Sequence, residues 1–211
     1  MALVKYGVGV SQMSGSIGGN TFARNRFGNY VRSRTKPVNP NSARQVTARA
    51  VIAYLAERWH EDLSAGQRNL WGVYAAAVAM KNALGEDIFL TGFNHFIRTN
   101  AAMKMWSAGI FDDAPTILSL AEKDDTLVCS EEDIAGQTFT FDFSSAGWAP
   151  NGDPKGRMLL YQGQPQLASR NFFGGPWRYM DVVTPIEGAA GTADKAASFA
   201  FALGQQVWFQ A

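Results

Sequence analysis

The sequence predicts an α+β chain: an extended, basic N-terminal arm, then a helical region, then a C-terminal antiparallel β-domain. Three observations predict it. Basic residues crowd the start of the chain, two serine capping boxes stand in its first third, and period-two apolar alternation takes over beyond residue 114. At 211 residues and 46% hydrophobic content, the chain can bury one large or two small cores. The division expected is an arm and linker over 1–41, a helical domain over 42–113 and a β-sandwich domain over 114–211.

The arm is read from charge and turn residues. Lys5, Arg24, Arg26, Arg32, Arg34, Lys36, Arg44 and Arg49 all precede the first acidic residue, Glu57. Net charge is only +1, yet residues 1–56 carry +8 and the remainder carries −7. Such a dipolar chain attracts an acidic surface at one end, or another copy of itself head to tail. Residues 20–25 and 30–34 flank the turn candidate Arg26-Phe27-Gly28-Asn29, which predicts a two-stranded ribbon with Gly28 at positive φ. A ribbon alone is marginal in water. With few apolar residues to cover it, its stability is expected to come from a neighbouring surface.

Pro37-Val38-Asn39-Pro40-Asn41 reads as a stiff connector that ends the arm, because each proline fixes φ and steers its predecessor away from helix. Ser42 with Gln45 forms a capping box and starts a helix running to about Asp62, with Val46, Ala50, Ala53 and Tyr54 as its apolar stripe. Ser64 with Gln67 repeats the signature and starts a second helix, expected to reach about Ala83 and to form a helical hairpin with the first. After a loop over 84–90, Thr91 caps a third helix carrying Phe93, Phe96, Ile97, Asn100, Ala101, Met105 and Trp106, stopped by Gly109.

Six β-prone runs follow, at 116–120, 126–130, 138–143, 158–162, 178–184 and 197–209, separated by loops rich in Gly, Pro, Asp and Asn. Phe139, Phe141 and Phe143 alternate with Thr140 and Asp142, as a half-buried strand requires. The spacing predicts a small antiparallel sandwich of immunoglobulin or fibronectin type, with a closed barrel as the alternative.

Chemistry is sparse. The two histidines, His60 and His95, are read as a helix-terminal residue and a packed helix residue. Cys129, the single cysteine, has no histidine near it in sequence and cannot form a disulfide within the chain. No spacing matches a zinc site, and the clusters Asp112-Asp113, Asp124-Asp125 and Glu131-Glu132-Asp133 lack the ligand pattern of a calcium loop. Gly15-Ser16-Ile17-Gly18-Gly19 lacks the Lys-Ser or Lys-Thr pair and following helix of a phosphate loop. The reading is therefore non-enzymatic, with no cofactor and no metal. No run reaches the length of a membrane span, and residues 1–10 carry too short an apolar run for a secretory signal.

Function is thus expected in the arm. Its candidate partner-binding residues are Phe22, Arg24, Arg26, Phe27, Tyr30, Arg32, Arg34 and Lys36. Alternating guanidinium groups suit bidentate pairing with carboxylates on a protein partner. The same groups, interleaved with rings, also suit sequence-tolerant nucleic-acid binding. A further alternative makes the β-domain a host- or carbohydrate-binding module through Trp148, Trp177 and Tyr179.

The run Gly18-Gly19-Asn20-Thr21-Phe22 with Arg24, Asn25 and Gly28, then Val31-Arg32 and residues 37–45, resembles virion structural proteins of tailed bacteriophages, of capsid-associated type. Trp59, Leu63-Ser64, Gln67-Arg68, Trp71, Thr91-Gly92-Phe93-Asn94, Phe96 and Asn100 extend the resemblance over roughly the first half. It implies a decoration, cement or minor capsid role in the virion after synthesis in the host cytoplasm. The implied partners are shell proteins, chiefly the major capsid protein, with many copies ordered by a lattice. It implies no catalytic residue and no membrane.

Overall fold

The computed structural model describes residues 2–106, 109–120, 123–149, 156–185 and 190–211. The fold is mixed α+β and divides into two compact units, Met1–Ser119 and Leu120–Ala211.

The first unit begins with a four-stranded antiparallel sheet in the order β1-β4-β3-β2, where β1 is Ala2–Leu3, β2 is Gly15–Ile17, β3 is Asn20–Asn25 and β4 is Gly28–Ser33. The expected two-stranded ribbon is its centre, and two further strands flank it. Gly18 and Gly19 join β2 to β3 with φ of 56° and 80°, the left-handed pair that a two-residue hairpin turn demands. Between β3 and β4 the turn is tighter than expected: Asn25 pairs with Gly28, leaving only Arg26 and Phe27 at the tip. The Asn25 side chain sets this turn by accepting the Phe27 N–H at 2.9 Å, and Gly28 has the expected positive φ, 124°.

The proline-containing connector is exposed, and Arg49 ties it to the following helix by donating to Asn41 Oδ1 at 3.2 Å and Asn39 Oδ1 at 2.6 Å. Helix α1 (Ala43–Glu61) and helix α2 (Ala65–Ala77) start at Ser42 and Ser64, and both expected capping boxes form. The apolar stripe expected on α1 is not the one it buries. Val46 and Ile52 are about half exposed, whereas Val51 and Leu55 face the core, because the chain offers apolar residues on more than one side of this helix.

Helix α2 also stops six residues before the expected end. Val78 leaves helical geometry with ψ of 103°, and the chain turns into a short hairpin of β5 (Ala79–Lys81) and β6 (Asp87–Phe89). Asn82 organises the hairpin loop by accepting the backbone N–H groups of Leu84 and Glu86.

Helix α3 (Gly92–Met105) begins at Thr91, as expected, and packs against both α1 and α2. The helical hairpin is thereby corrected, since α1 and α2 meet through α3 rather than along each other. Their shared core holds Leu55, Leu63, Trp71, Tyr74, Val78 and Phe96. Close approach at the start of α3 requires glycine: a Cβ on Gly92 would sit 2.8 Å from Gly72 N and 2.9 Å from Trp71 C. Backbone atoms cannot swing aside as a side chain can. Gly92→Ala is expected to destabilise the helical region by about 1–3 kcal/mol, read as a fall in its urea midpoint.

The second unit contains separate antiparallel sheets. One is β12-β8-β7, built from β7 (Val128–Asp133), β8 (Thr138–Ser144) and β12 (Ala190–Ala196). Another is β11-β9-β14, from β9 (Met158–Gly163), β11 (Trp177–Val183) and β14 (Phe209–Gln210). A two-stranded ribbon pairs β10 (Gln166–Leu167) with β13 (Gln205–Gln206). Phe139, Phe141 and Phe143 bury on one side of β8 and cluster with Met158, Leu160, Val183 and Phe201.

Two strand expectations are corrected. Residues 116–120 form no strand, 116–119 being bends, with Ile117, Leu118 and Leu120 each between 44% and 49% exposed. Of the run over 197–209, residues 197–204 form no strand and end in a turn at Leu203-Gly204 (φ 80°), after which only the short strands β13 and β14 follow. Strand β12 was not expected, because Ala, Gly and Asp are poor strand formers. It forms through an unbroken seven-residue register with β8, from Ala190 opposite Ser144 to Ala196 opposite Thr138.

Candidate functional site

From Ala2 to Ala50, no residue is fully buried. Leu3, Phe22, Tyr30 and Val31 reach only intermediate exposure, and Ile17 on the edge strand β2 is 68% exposed. A four-stranded sheet normally gains its stability by burying one face against another layer. Here residues of β1 and the β3–β4 tip line a shallow cleft together with the β5–β6 loop, bridged by an ion pair of Lys5 with Glu86.

Strand register decides how the eight candidate residues are displayed, since directly opposed residues share a face. Phe22 faces Val31 across the hairpin and Arg24 faces Asn29, so these lie on one face. Tyr30 opposes Ala23, and Arg32 opposes Thr21, on the other face. Arg26 and Phe27 occupy the tip, Arg34 follows β4 with its N–H donating to Gly19 O at 2.7 Å, and Lys36 lies in the exposed connector. The structure therefore distributes the candidates over both faces and the tip.

The cations are free. Arg24, Arg26, Arg32, Arg34, Lys36 and Arg44 are exposed, and none of their charged side-chain groups makes a hydrogen bond or ion pair with another described residue. Every described lysine or arginine after Gln45 is engaged, for example Arg58 with Asp112, Lys81 with Asp87, Lys104 over the Tyr54 ring and Lys195 with Asp181. Among the described residues, free positive charge is thus confined to the segment that lacks a core. Arg44, at the start of α1, belongs to the same set and was not among the residues expected; its continuity in charge with the arm was the available signal.

Elsewhere, polar side chains hold structure. His95 is 2% exposed, lies edge-on to the Tyr74 ring at 5.2 Å, and has no hydrogen-bond partner for Nε2 among the described residues. Burial, with Arg98 nearby, holds its imidazole below the ordinary value of 6.5. The unfolded chain then binds the extra proton first, so stability falls as pH drops below about 6.5 and is indifferent to this group above it. Urea unfolding at pH 7.5 and pH 5 is expected to show that loss, and His95→Phe is expected to flatten it.

Cys129 lies on β7 in an exposed position, where partial desolvation of the thiol and the nearby charges of Glu132 and Asp142 push its pKa up, away from a nucleophilic thiolate. Asp112 accepts two hydrogen bonds from Arg58, at 2.7 and 2.6 Å, while Asp124 caps a turn at Thr126 and accepts from Ser144 N. Among the described residues, no group of three or more His, Cys, Asp or Glu is placed to hold a metal ion, and no helix is long and apolar enough to cross a membrane. Trp148, Trp177 and Tyr179 are half-buried, each against a ring: Phe143 at 6.2 Å, Phe173 at 5.1 Å and Tyr161 at 5.9 Å.

No family model, curated protein or solved structure matches the chain.

Proposed function

We propose that this chain is a non-catalytic structural component of an assembled particle, capsid-associated in a virion of the tailed-bacteriophage kind, which docks onto its neighbours through the N-terminal sheet. The observation that carries this reading is the coincidence of free cations with missing burial over residues 2–50. A sheet without a core gains stability when a neighbour covers a face or extends an edge. Guanidinium groups that have no partner among the described residues suit carboxylates on the covering surface. The resemblance of the first half to virion structural proteins supports the same reading.

In this account the three helices form the rigid body beside which the sheet is presented, and the C-terminal sheets act as a small two-layer sandwich appended to it. Each docking contact is weak by itself. Many copies on one lattice make successive contacts effectively intramolecular, which raises avidity without new chemistry.

The test is full-length protein carrying R24E/R26E/R32E/R34E. At about 1 kcal/mol per exposed pair, loss of four pairs weakens docking roughly a thousandfold. Incorporation into particles is expected to fail while circular dichroism and the unfolding midpoint stay unchanged. Unchanged incorporation refutes the reading. Binding of the wild-type chain to DNA or RNA, falling linearly in log salt, would instead identify phosphate as what the arginines meet.

A further inference from the structure

The second unit carries a surface complementary to the free cations. Opposed residues across β7, β8 and β12 put Glu131, Asp133, Asp142 and Asp194 on the side of the sheet away from the Phe139, Phe141 and Phe143 core. No lysine or arginine of these strands shares that side, because Lys195 alternates to the other and pairs with Asp181 at 3.0 Å. None of the four carboxylates makes an ion pair with a described residue; Asp194 accepts from the Thr140 hydroxyl at 2.7 Å, and Asp133 accepts loop N–H groups. Strand β7 is also a sheet edge with all six residues exposed.

We infer that the occupant of the basic N-terminal sheet is a second copy of this chain, seated on the β7–β8–β12 face, so that copies join head to tail. The inference rests on the docking reading above and names its partner. Spacing agrees with charge. Arg32, in β4, and Arg34, just beyond its end, are two residues apart, as are Glu131 and Asp133 in β7, and each pair can span about 7 Å. A contact between two different surfaces repeats from copy to copy and closes into a ring or continues along a lattice. The charge division of the sequence, +8 over residues 1–56 and −7 beyond, is what such a repeat requires.

The experiment is a charge swap in the full-length, nuclease-treated protein, followed by sedimentation velocity over a concentration series at low and high salt. The wild type is expected to gain mass with concentration at low salt and lose it at high salt. R32E/R34E and E131R/D133R are each expected to remain monomeric at concentrations at least tenfold above those at which the wild type associates. Mixed one to one, they are expected to recover association, since each reversed face then meets its complement. A wild type that stays monomeric, variants that still associate alone, or a mixture that fails to recover overturns the inference. Compaction without gain of mass overturns it too, because the two faces would then meet within one chain. A monomeric chain that still enters particles in the four-arginine test leaves docking intact and removes only the head-to-tail contact.

Discussion

Trp71→Ala is expected to unfold the helical region of the first unit near room temperature. The indole is fully buried, lies edge-on to Tyr74 at 6.0 Å and Phe96 at 5.6 Å, and donates from Nε1 to Asp112 O at 2.8 Å. Truncating a buried tryptophan costs about 3–5 kcal/mol in lost contacts and residual cavity. The freed Asp112 carbonyl adds about 1–3 kcal/mol if it stays buried. The sum approaches the whole stability of an ordinary domain, about 5–15 kcal/mol. The effect spreads because Asp112 also receives Arg58, and Asn100 holds the adjacent Phe111 through its N–H and its carbonyl. Loss of helical circular dichroism is the readout, and a variant that keeps a cooperative midpoint within 1 M urea of the wild type, roughly 1–3 kcal/mol, contradicts it.

The second large effect belongs to the C-terminal unit. Gln162 is fully buried on β9, donates from Nε2 to Phe199 O at 3.0 Å and accepts from Ser198 N at 2.6 Å and Phe199 N at 3.0 Å. One amide side chain therefore satisfies three backbone groups of a segment that belongs to no strand. Gln162→Ala leaves all three without their partner, at about 1–3 kcal/mol for each that remains buried. Hydrogen exchange is expected to accelerate by two or more orders of magnitude in β9 and around residue 199, with α1–α3 unchanged. Uniform acceleration in both units, or none, contradicts the assignment of this residue.

Elements whose signals are local were legible in the sequence. Both serine capping boxes, the Thr91 cap, the β3–β4 turn and the Phe139–Phe143 alternation follow from side chains within a few positions of one another. What depends on distant partners was not. Strand β12 has weak intrinsic preference and exists because β8 offers it a full register. The end of α2 is set where Val78 enters the core, ahead of the helix-compatible residues that follow it. On α1, Val46 and Val51 are equivalent to any local reading, and only packing against α3 selects the second.

The candidate site divides in the same way. Its charge was visible because it is a property of the segment, whereas its display over two faces needed the register of β3 with β4. The absence of a core was foreseen from the scarcity of apolar residues. The two added strands do not change it, since β1 and β2 contribute only Leu3 and Ile17 as large apolar side chains, and Ile17 stays exposed.

The claim on which the account depends is that this sheet acquires its cover from outside the chain. Hydrogen exchange over residues 15–33 in the free chain and in assembled particles measures it directly. Amides of β2, β3 and β4 are expected to exchange within seconds in the free chain, while α3 stays protected, and to slow at least a hundredfold on assembly. Protection equal to that of α3 in the free, monomeric chain, unchanged in the particle, would contradict it.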